Sequence, residues 1–578
     1  MLRLPRVLIA FPGLLLFLSP FLSSQRKEQP SKVERPLFED VTRSAGLDFH
    51  LTCGGPEKLY IMETMCGGIA VFDYDNDGWP DIFFVNGSTL EDMKTGKGPT
   101  SKLYHNNHDG TFTDVTEKAG LAHRAWCFGA AVGDYNNDGW DDLYITCLNG
   151  GFLYKNNGDG TFTDVTAKAG VGNLGHWGTS AAFGDYDRDG HLDLYIANYV
   201  DLDLNNLPKF GSTAFCQYRG IPVSCGPRGL PGSRDRLYHN NGDGTFTDVT
   251  EQMGIDPNSY YGLGVIWGDY DGGGWPDIYV ANDSSPSLLY HNNQGKGFTE
   301  VGLAAGVAYS SDGREQAGMG VDFGDYDNDG WPDLVKTNFS DDSNNLFHNN
   351  GDGTFEDRAD TSGFGPISTP FLGFGVRFFD YDNDGWKDII VANGHVNPQV
   401  DKYSFGVTYA ERALLFHNLK NDRFEEIGPK AGPALAKRRV ARGLAVADFF
   451  NKGTIDVLMT TLDGSPVLLR NMTNISAGGG HWIGLKLIGT KSSHDAYGAR
   501  VEIEAGGLKQ YDEVRSNSSF ESASDSRLHF GLGAAQSVSH VIIRWPSGIV
   551  QKLGPYHANQ QVVIEESGQP GKNQAKSE

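Results

Sequence analysis

One acidic pattern recurs seven times in this chain and constrains its fold more than any other feature. Each copy is an apolar, glycine-rich run followed by Asp-x-Asp-x-Asp-Gly or a variant of it, and the copies begin at Asp73, Asp134, Asp185, Asp269, Asp325, Asp380 and Asp448. A second element, typified by Leu-Tyr-His-Asn-Asn-x-Asp-Gly-Thr-Phe, alternates with the first. Such internal repetition indicates an architecture in which similar units pack against their neighbours.

Each repeat unit predicts four short strands separated by turn residues. Around Asp185 these strands cover residues 180–186, 193–198, 237–240 and 245–250. The chain begins with a lone fourth strand at 38–42, and its last unit stops after a third strand at 468–471. Joining the two fragments completes the seventh unit and leaves no exposed sheet edge between them. We therefore predict an all-β fold: a seven-bladed β-propeller with a small C-terminal β-domain.

The segments outside the repeats complete the predicted organisation. Residues 1–24 place Arg3 and Arg6 before a short apolar run, which is typical of a secretory signal peptide, with an uncleaved anchor as the alternative. The propeller is expected at 36–471, a linker at 472–480, the β-domain at 481–566 and a disordered tail at 567–578. Since no later stretch is apolar enough to cross a bilayer, we expect a mature chain without a transmembrane segment. The signal peptide predicts that this chain is secreted and is extracellular or periplasmic.

Six cysteines in an exported chain favour disulfides between sequence neighbours. Cys127 and Cys147 lie almost symmetrically about one acidic loop, as residues opposite each other in a hairpin would. The expected pairs are Cys53–Cys66, Cys127–Cys147 and Cys216–Cys225. Free structural thiols are the alternative.

The acidic loops are candidate calcium sites. In Asp-x-Asp-x-Asp-Gly-x-x-Asp, side-chain oxygens at positions 1, 3, 5 and 9 and a backbone carbonyl at position 7 can converge on one cation, and such hard oxygen donors suit Ca²⁺. No Cys or His is expected to join the cluster. The predicted ligands are Asp73, Asp75, Asp77, Asp81; Asp134, Asn136, Asp138, Asp142; Asp185, Asp187, Asp189, Asp193; Asp325, Asp327, Asp329, Asp333; and Asp380, Asp382, Asp384, Asp388.

The copies differ in how complete they are. Loop two has Asn136 in place of one carboxylate and should still bind, whereas loop four has Gly273 at position 5 and is weak. Loop seven, with Phe450 and Lys452 at ligand positions, should be empty. This gives about four to five structural Ca²⁺ ions. The alternative is a set of acidic turns without metal, since Asp and Gly favour turns on their own. The histidines of the second element are expected to have a capping role.

The motifs resemble those of a known family. Units such as residues 320–330 resemble the FG-GAP or VCBS repeats of integrin-α-type propellers, and the tail, with Gly498-Ala499-Arg500-Val501 and Arg544-Trp545-Pro546-Ser547-Gly548, resembles the ASPIC/UnbV domain. In this order they resemble the cartilage acidic protein family. The resemblance implies an extracellular, calcium-binding protein associated with adhesion or matrix interaction, and it implies no catalytic residues.

The expected function is non-enzymatic binding or adhesion at the cell surface or matrix. A formal net charge of -25 argues against a nucleic-acid partner, so the expected partner is an extracellular protein or glycan. Insertions at 86–100, 199–236 and 394–411 are expected on the face opposite the metal loops. An extracellular polysaccharide-acting enzyme with a central-pocket site and a purely structural surface protein are the alternatives.

One ion pair between blades is also expected. Asp322 and Arg377 occupy the same strand position in the neighbouring fifth and sixth units, where most units have Ala. Because a single buried charge is costly, the two side chains should pair.

Overall fold

Seven four-stranded antiparallel sheets make up most of the chain. The computed structural model describes residues 37–473 and 479–567, so the predicted signal peptide and all but the first residue of the predicted tail lie outside the described residues. The acidic turn of each sheet joins its first strand to its second. We number the blades, and the acidic loops within them, in chain order from Asp73.

The strands follow the repeat. After β1 (Phe38–Asp40), blades one and two contain β2 (Ile69–Phe72), β3 (Asp81–Phe84), β4 (Lys102–Asn106), β5 (Phe112–Asp114), β6 (Cys127–Gly133), β7 (Asp142–Cys147), β8 (Gly150–Asn156) and β9 (Phe162–Asp164). Blades three and four contain β10 (Gly178–Gly184), β11 (Asp193–Asn198), the insertion hairpin β12 (Gln217–Tyr218) and β13 (Ile221–Pro222), then β14 (Arg236–Asn240), β15 (Phe246–Asp248), β16 (Gly262–Gly268), β17 (Asp277–Asn282), β18 (Leu288–Asn292) and β19 (Phe298–Glu300).

Blades five to seven continue the pattern. They contain β20 (Val321–Gly324), β21 (Asp333–Lys336), β22 (Asn345–Asn349), β23 (Phe355–Asp357), β24 (Gly373–Phe379), β25 (Asp388–Asn393), β26 (Leu414–Asn418), β27 (Phe424–Glu426), β28 (Ala441–Ala447), β29 (Asp456–Thr461) and β30 (Val467–Asn471). The helices are short, and lie at Ile61–Thr64, Leu90–Thr95, Thr116–Ala119, Thr166–Ala169, Ala214–Cys216, Gly302–Ala305, Ala359–Ser362, Phe364–Ser368, Pro398–Lys402, Gly428–Ala431 and Pro433–Ala436.

The blades close into a ring, as predicted. The innermost strands β2, β6, β10, β16, β20, β24 and β28 each contact the next, and β28 contacts β2. The last blade is completed by β1, which pairs antiparallel with β30 and sets Phe38 opposite Asn471. Both chain fragments are therefore used, and the fold is a seven-bladed β-propeller.

The glycines of the innermost strands allow the blades to approach closely around the axis. A Cβ atom on Gly129 would collide with the Thr179 carbonyl oxygen of the next blade, and one on Gly320 would collide with that of Phe374. The close approach of neighbouring backbones therefore accounts for the repeated glycine at this strand position.

The C-terminal β-domain contains two sheets. Its strands are β31 (His481–Ile488), β32 (Arg500–Ala505), β33 (Leu508–Glu513), β34 (Leu528–Gly533), β35 (Ser537–Arg544), β36 (Val550–Leu553), β37 (Tyr556–His557) and β38 (Gln560–Glu565). One sheet has the order β34-β31-β38, and the other has β33-β32-β35-β36 with β37 beside β35. Alternate residues such as Val501, Ile503 and Val541 fill the core between them. Among the described residues, we find no helix with the length and hydropathy needed to span a membrane.

Two further predictions about packing are confirmed. The three disulfides join Cys53 to Cys66, Cys127 to Cys147 and Cys216 to Cys225. The guanidinium of Arg377 donates to Asp322 Oδ1 at 2.9 Å, and the backbone N–H of Phe378 donates to Asp322 Oδ2 at 2.8 Å. The buried Asp322 carboxylate is therefore matched across the interface between blades five and six.

Candidate metal centres

The first Asp of each acidic loop holds the turn in shape. In loop three, Asp185 Oδ1 accepts the N–H of Asp189 at 3.1 Å and Oδ2 accepts that of Gly190 at 3.0 Å. Loop seven has the same two bonds, from Lys452 and Gly453 to Asp448 at 2.8 and 2.5 Å, although its other ligand positions are lost. Position 1 therefore has a structural task in addition to any role as a ligand.

The Asp at position 9 also binds the backbone. Asp193 Oδ2 accepts the N–H of Tyr186 at 3.1 Å, and Oδ1 accepts the N–H of Asn240 on the third strand at 2.9 Å. Loop seven again keeps both bonds, from Phe449 and Asn471 to Asp456. Positions 1 and 9 are therefore retained in loop seven because the hairpin needs them, whereas positions 3 and 5 vary.

In three loops, the buried side-chain oxygen of the position 3 Asp has no hydrogen-bond donor. The Oδ1 atoms of Asp75, Asp187 and Asp382 are buried without a hydrogen-bond partner. A buried acceptor without a partner costs free energy, and a bound cation would remove that cost. These orphaned oxygens are the observation that fits a metal ion in loops one, three and six.

A histidine joins the cluster in five blades, so the prediction that none does is wrong. His105 Nδ1 lies 3.3 Å from Asp75 Oδ2 and 3.4 Å from Asp81 Oδ1, yet it makes no hydrogen bond. The equivalent Asp–Asp–His sets include His239, His291, His348 and His417. The histidines of different blades do not converge on one site, but the third strand brings each one to the loop of its own blade.

Burial and mutual repulsion perturb these carboxyl groups. Burial, reinforced by the negative charge of Asp193, raises the pKa of Asp185 to about 8. Burial also raises the pKa of Asp193 to about 7, against the opposing hydrogen bond from His239. The hydrogen bond to Asp193 raises the pKa of His239 to about 9. A cluster that retains protons in this way gains when a divalent cation replaces them.

Protein cations lie at the loops with incomplete ligand sets. The Lys155 ammonium pairs with Asp138 in loop two, at the position where five other blades have histidine. The C-terminal domain supplies Arg500, which lies 3.1 Å from Asp269 Oδ2 in loop four. In loop seven, Arg527 donates to Asn451 Oδ1 at 3.2 Å. Burial raises the pKa of Asp448, and the Arg527 charge is among the groups that oppose this rise.

A ring of asparagines ties all seven loops together. The Asn that ends the third strand of each blade donates its side-chain N–H to the position 2 carbonyl of the preceding loop, over 2.7–3.0 Å. The donors are Asn106, Asn156, Asn240, Asn292, Asn349, Asn418 and Asn471. The loops therefore form one connected belt on one face of the propeller.

The C-terminal domain covers this belt. His494 N–H donates to Asn137 Oδ1 at 2.9 Å in loop two, and Gly533 N–H donates to the Asn383 carbonyl at 2.8 Å in loop six. Arg188 of loop three donates to the Pro546 carbonyl. The face that carries the candidate metal centres is therefore in contact with the chain's own second domain.

A loop of the same domain fills the central channel. We call residues 516–524, between β33 and β34, the plug. Its backbone hydrogen-bonds to three inner strands: Ser519 pairs with Val321, the Glu521 carbonyl accepts the N–H of Ala130, and Ala523 bonds to Ile69 and Val71. Its serine hydroxyls accept the backbone N–H groups of Ile69, Val376 and Val446. The Phe520 ring packs against Phe374, with ring centroids 4.9 Å apart. The plug thereby gives hydrogen-bond partners to the inner strands of six of the seven blades.

The opposite face of the propeller carries the insertions and an open cavity. Segment 199–236 contains the Cys216–Cys225 disulfide and contributes Phe215, Tyr218 and Arg228 to a cavity of about 330 Å³. Asp283 and Glu315 line the same cavity. The Asp283 carboxylate accepts the Tyr199 hydroxyl at 2.6 Å, and Glu315 pairs with Arg228 at 2.9 Å.

The sequence interpretation missed the plug, the asparagine ring and the histidines. A signal for the ring was present, because Asn follows His, Lys or Arg at the end of every third strand. The plug left a weaker signal, the small polar run Ser516-Asn517-Ser518-Ser519 within a domain of otherwise alternating strands. Neither pattern predicts which residues these side chains contact, because the contacts lie in another blade or another domain.

Comparison with known families agrees with this architecture. The FG-GAP-like repeat model matches residues 73–145, 134–196, 228–280, 269–336 and 337–391, and the ASPIC and UnbV model matches residues 489–571. Among solved structures, an Agrocybe aegerita lectin that recognises non-reducing terminal N-acetylglucosamine superposes with a TM-score of 0.38 and 19% identity, covering 69% of this chain and 87% of the lectin. YCF48 bound to a D1 peptide superposes with a TM-score of 0.39 and 9% identity, over 76% and 97% of the two chains.

Two curated relatives align over most of the chain. Cartilage acidic protein 1 of Xenopus tropicalis is 25% identical over 517 residues, which are 83% of this chain and 70% of the relative. The Mus musculus protein of the same name is 25% identical over 488 residues, which are 83% of this chain and 61% of the relative. The chain is therefore a protein of FG-GAP-like repeats with a C-terminal ASPIC/UnbV domain, homologous to cartilage acidic protein 1 over most of its length.

Proposed function

We propose that this protein is an exported, calcium-loaded propeller that binds an extracellular protein or glycan without catalysis. The observation that carries the proposal is the difference between its two faces. The C-terminal domain covers the face with the acidic loops, and the other face presents an open cavity beside a disulfide-stapled insertion. Metal would then stabilise the scaffold, and the open face would meet the partner.

Export is supported by the cysteines. All six are paired in three disulfides, which persist in oxidising compartments. A secreted or periplasmic location also agrees with the predicted signal peptide. The test is expression of the full-length gene followed by N-terminal sequencing of the exported form. A mature chain that begins near residue 25 is expected, and retention of the intact N-terminus would contradict it.

Four to five loops would hold the ions. Loops one, three, five and six keep carboxylates at positions 1, 3, 5 and 9, and loop two has Asn136 at position 3. Calcium would supply positive charge at the orphaned oxygens of Asp75, Asp187 and Asp382. Asn136 in place of a carboxylate makes loop two the weakest of the five, and Arg500 and Arg527 lie at loops four and seven.

Titration calorimetry on the purified, chelator-treated protein tests the metal proposal. We expect about four to five bound Ca²⁺ per chain and a melting temperature that rises with calcium, since a ligand that binds only the folded state stabilises it. Asp187→Asn should remove one ion, whereas the matched change Asp271→Asn in loop four should not alter the stoichiometry. Fewer than about three ions, or a melting temperature indifferent to EDTA, would contradict calcium loading.

A glycan and matrix-protein array tests the binding role. We expect binding that Tyr218→Ala weakens, because Tyr218 lines the cavity of the open face. Trp140→Ala serves as the matched control, since Trp140 lies in acidic loop two, on the other face. Equal loss in both variants, or binding that only Trp140→Ala removes, would move the partner to the other face.

A polysaccharide-acting enzyme is the second candidate, and the carboxylates of the open cavity favour it. Asp283, Glu315 and Asp342 all line that cavity. Glycoside hydrolysis needs one carboxyl group as acid and another as base or nucleophile. Turnover of a polysaccharide panel that Asp342→Asn abolishes would establish this activity, and binding without turnover would support the non-enzymatic role.

A further inference from the structure

Loop four differs from the other loops in a way that the metal pattern does not explain. It reads Asp-Tyr-Asp-Gly-Gly-Gly, with glycine at positions 4 and 5 as well as 6. In five other loops position 4 is an Asn with positive φ whose side chain donates to the position 6 carbonyl of the next loop, as Asn328 does to Gly385 at 3.0 Å. Gly272 cannot make that bond.

Arg500 of the C-terminal domain takes over both missing roles. Its Nη1 lies 3.1 Å from Asp269 Oδ2 and so brings a positive charge to the incomplete loop. Its Nη2 donates to the Gly330 carbonyl of loop five at 3.3 Å, which is the bond that an Asn at position 4 would make. The ring of loops is therefore closed at this point by the second domain.

The Trp331 ring and Arg500 pack closely over the position where loop four lacks a side chain. A Cβ atom on Gly272 would lie 3.0 Å from the Trp331 ring and 3.5 Å from Arg500 Nη1. Beside them is a cavity of about 340 Å³, lined by Trp331, Tyr511, Glu502 and Arg544 among others. That volume is at the lower end of the range of about 300–1,000 Å³ for small-molecule sites.

Arg544 brings a second guanidinium group to this cavity. In the antiparallel pair β32–β35 it is directly opposite Arg500, and both residues line the cavity. Like charges directly opposite in a sheet are unfavourable unless something neutralises them. Arg500 is neutralised by Asp269, whereas within residues 37–473 and 479–567 Arg544 has no ion pair or side-chain hydrogen bond.

The carboxylates around the cavity already have other partners. Glu502 pairs with Lys509 at 3.0 Å, and Asp512 pairs with Lys387 at 2.6 Å and with Arg515 at 2.8 Å. The Oε2 atom of Glu513 accepts the backbone N–H of Asp269 at 3.3 Å. Asp325 belongs to the proposed metal set of loop five. Among the arginines that line the cavity, Arg544 is therefore the one without a carboxylate partner in the described part of the chain, and its side chain is exposed.

We propose that this cavity binds a small sugar-sized ring that carries a carboxylate, with Arg544 facing the carboxylate. A planar guanidinium recognises a carboxylate through two parallel hydrogen bonds. The rings of Trp331 and Tyr511 offer flat apolar walls, and Glu502 can accept hydrogen bonds from hydroxyl groups. A uronic acid combines these three features, and its site is separate from the open face of the propeller.

Calorimetry on the mature, calcium-loaded protein tests this site, with glucuronate as the probe and methyl glucoside as its uncharged match. We expect saturable binding of glucuronate and none of the glucoside. Arg544→Gln should weaken glucuronate binding about tenfold or more, the effect of losing a charge-assisted pair. The matched change Arg423→Gln, at an exposed arginine in a blade-six turn, should leave the affinity unchanged.

A second variant probes the cavity without changing charge. Gly272→Asn restores the residue of the other loops at a left-handed backbone position that Asn tolerates, so the protein should fold and the filled cavity should lose glucuronate. Equal affinity in the parent, Arg544→Gln and Gly272→Asn proteins would overturn the proposal. So would no saturable binding of glucuronate at millimolar concentrations, or equal binding of the glucoside. None of these results bears on the calcium stoichiometry or on the open face.

Discussion

At the scale of single residues, the acidic motif combines two functions that its sequence does not separate. Asp448 and Asp456 in loop seven keep the backbone hydrogen bonds of positions 1 and 9 although Phe450 and Lys452 replace the other ligands. The Asp residues at positions 3 and 5 have fewer structural duties, and the inward oxygen of position 3 is orphaned in three loops. A motif match therefore indicates a hairpin first and a metal site second.

Asp456→Asn should destabilise the protein even without metal. The change removes one acceptor for a buried N–H, which costs about 1–3 kcal/mol of unfolding free energy. Urea unfolding in EDTA measures this effect. Asp329→Asn, at position 5 of loop five, keeps its Oδ1 acceptor for the Trp331 N–H and should change stability by less than about 0.5 kcal/mol. Equal effects of the two changes would show that position 9 has no special structural role.

His395 should make the fold sensitive to acid. Burial, aided by the charges of Arg442 and Arg219, lowers its pKa from 6.5 to about 3. Between these pKa values the unfolded chain binds a proton at His395 and the folded chain does not. The free energy of unfolding therefore decreases as pH falls from about 6.5 to 3, by up to about 1.4 kcal/mol per pH unit.

The matched variants His395→Gln and His557→Gln isolate this contribution. His557 is exposed, so its change should leave the pH dependence of the unfolding free energy as it is. His395→Gln should make that dependence shallower between pH 6 and 4, by up to about 1.4 kcal/mol per unit. Parallel curves for both variants would mean that His395 is protonated equally in the folded and unfolded states.

At the scale of elements, each blade depends on its neighbours as much as on its own strands. The third-strand asparagine connects each hairpin to the loop before it, and the inner-strand glycine lets the next backbone approach. The pair Asp322–Arg377 adds a charge-matched contact at one interface. The blades therefore cannot be stable as separate hairpins, in agreement with the behaviour of repeat units that bury their faces on each other.

The adjacent residues Asn240 and Asn241 allow the contribution of the asparagine ring to stability to be compared with that of the turn. Asn240 is buried and donates to the carbonyls of Tyr135 and Leu192, whereas Asn241 is exposed and bonds within its own turn. Asn240→Ala should leave both carbonyls unpaired and cost about 1–3 kcal/mol, and Asn241→Ala should cost less than about 1 kcal/mol. Chemical denaturation compares them, and a larger effect at Asn241 would contradict a structural ring.

At the scale of the whole molecule, the C-terminal domain is part of the propeller. Its plug fills the channel, and its sheet covers the acidic belt. Arg500 pairs with Asp269 of loop four, and Arg527 donates to Asn451 of loop seven. The plug hydrogen-bonds to inner strands of six blades, directly or through side chains. Such shared contacts couple the unfolding of the two domains.

Phe520→Ala should therefore destabilise the whole chain. The ring of Phe520 is fully buried at the tip of the plug, and its loss should cost about 3–5 kcal/mol. Scanning calorimetry should show one transition that moves to lower temperature. Leu303→Ala, at a leucine that is 72% exposed, should leave it in place. Two separate transitions, with the propeller's unaffected by Phe520→Ala, would show that the domains are energetically independent.

The sequence by itself determined the repeat, the strands, the closure of blade seven, the disulfides and the Asp322–Arg377 pair. The strands and turns follow from local patterns, because strand alternation and turn residues act over a few positions. The closure of blade seven and the Asp322–Arg377 pair follow from aligning equivalent positions of the repeat. The tertiary structure decided which atoms meet across blades: the histidines beside the acidic loops, the asparagine ring, the plug, and Arg500 at loop four. Their partners are tens to hundreds of residues away along the chain, so only ring closure and domain docking bring them together.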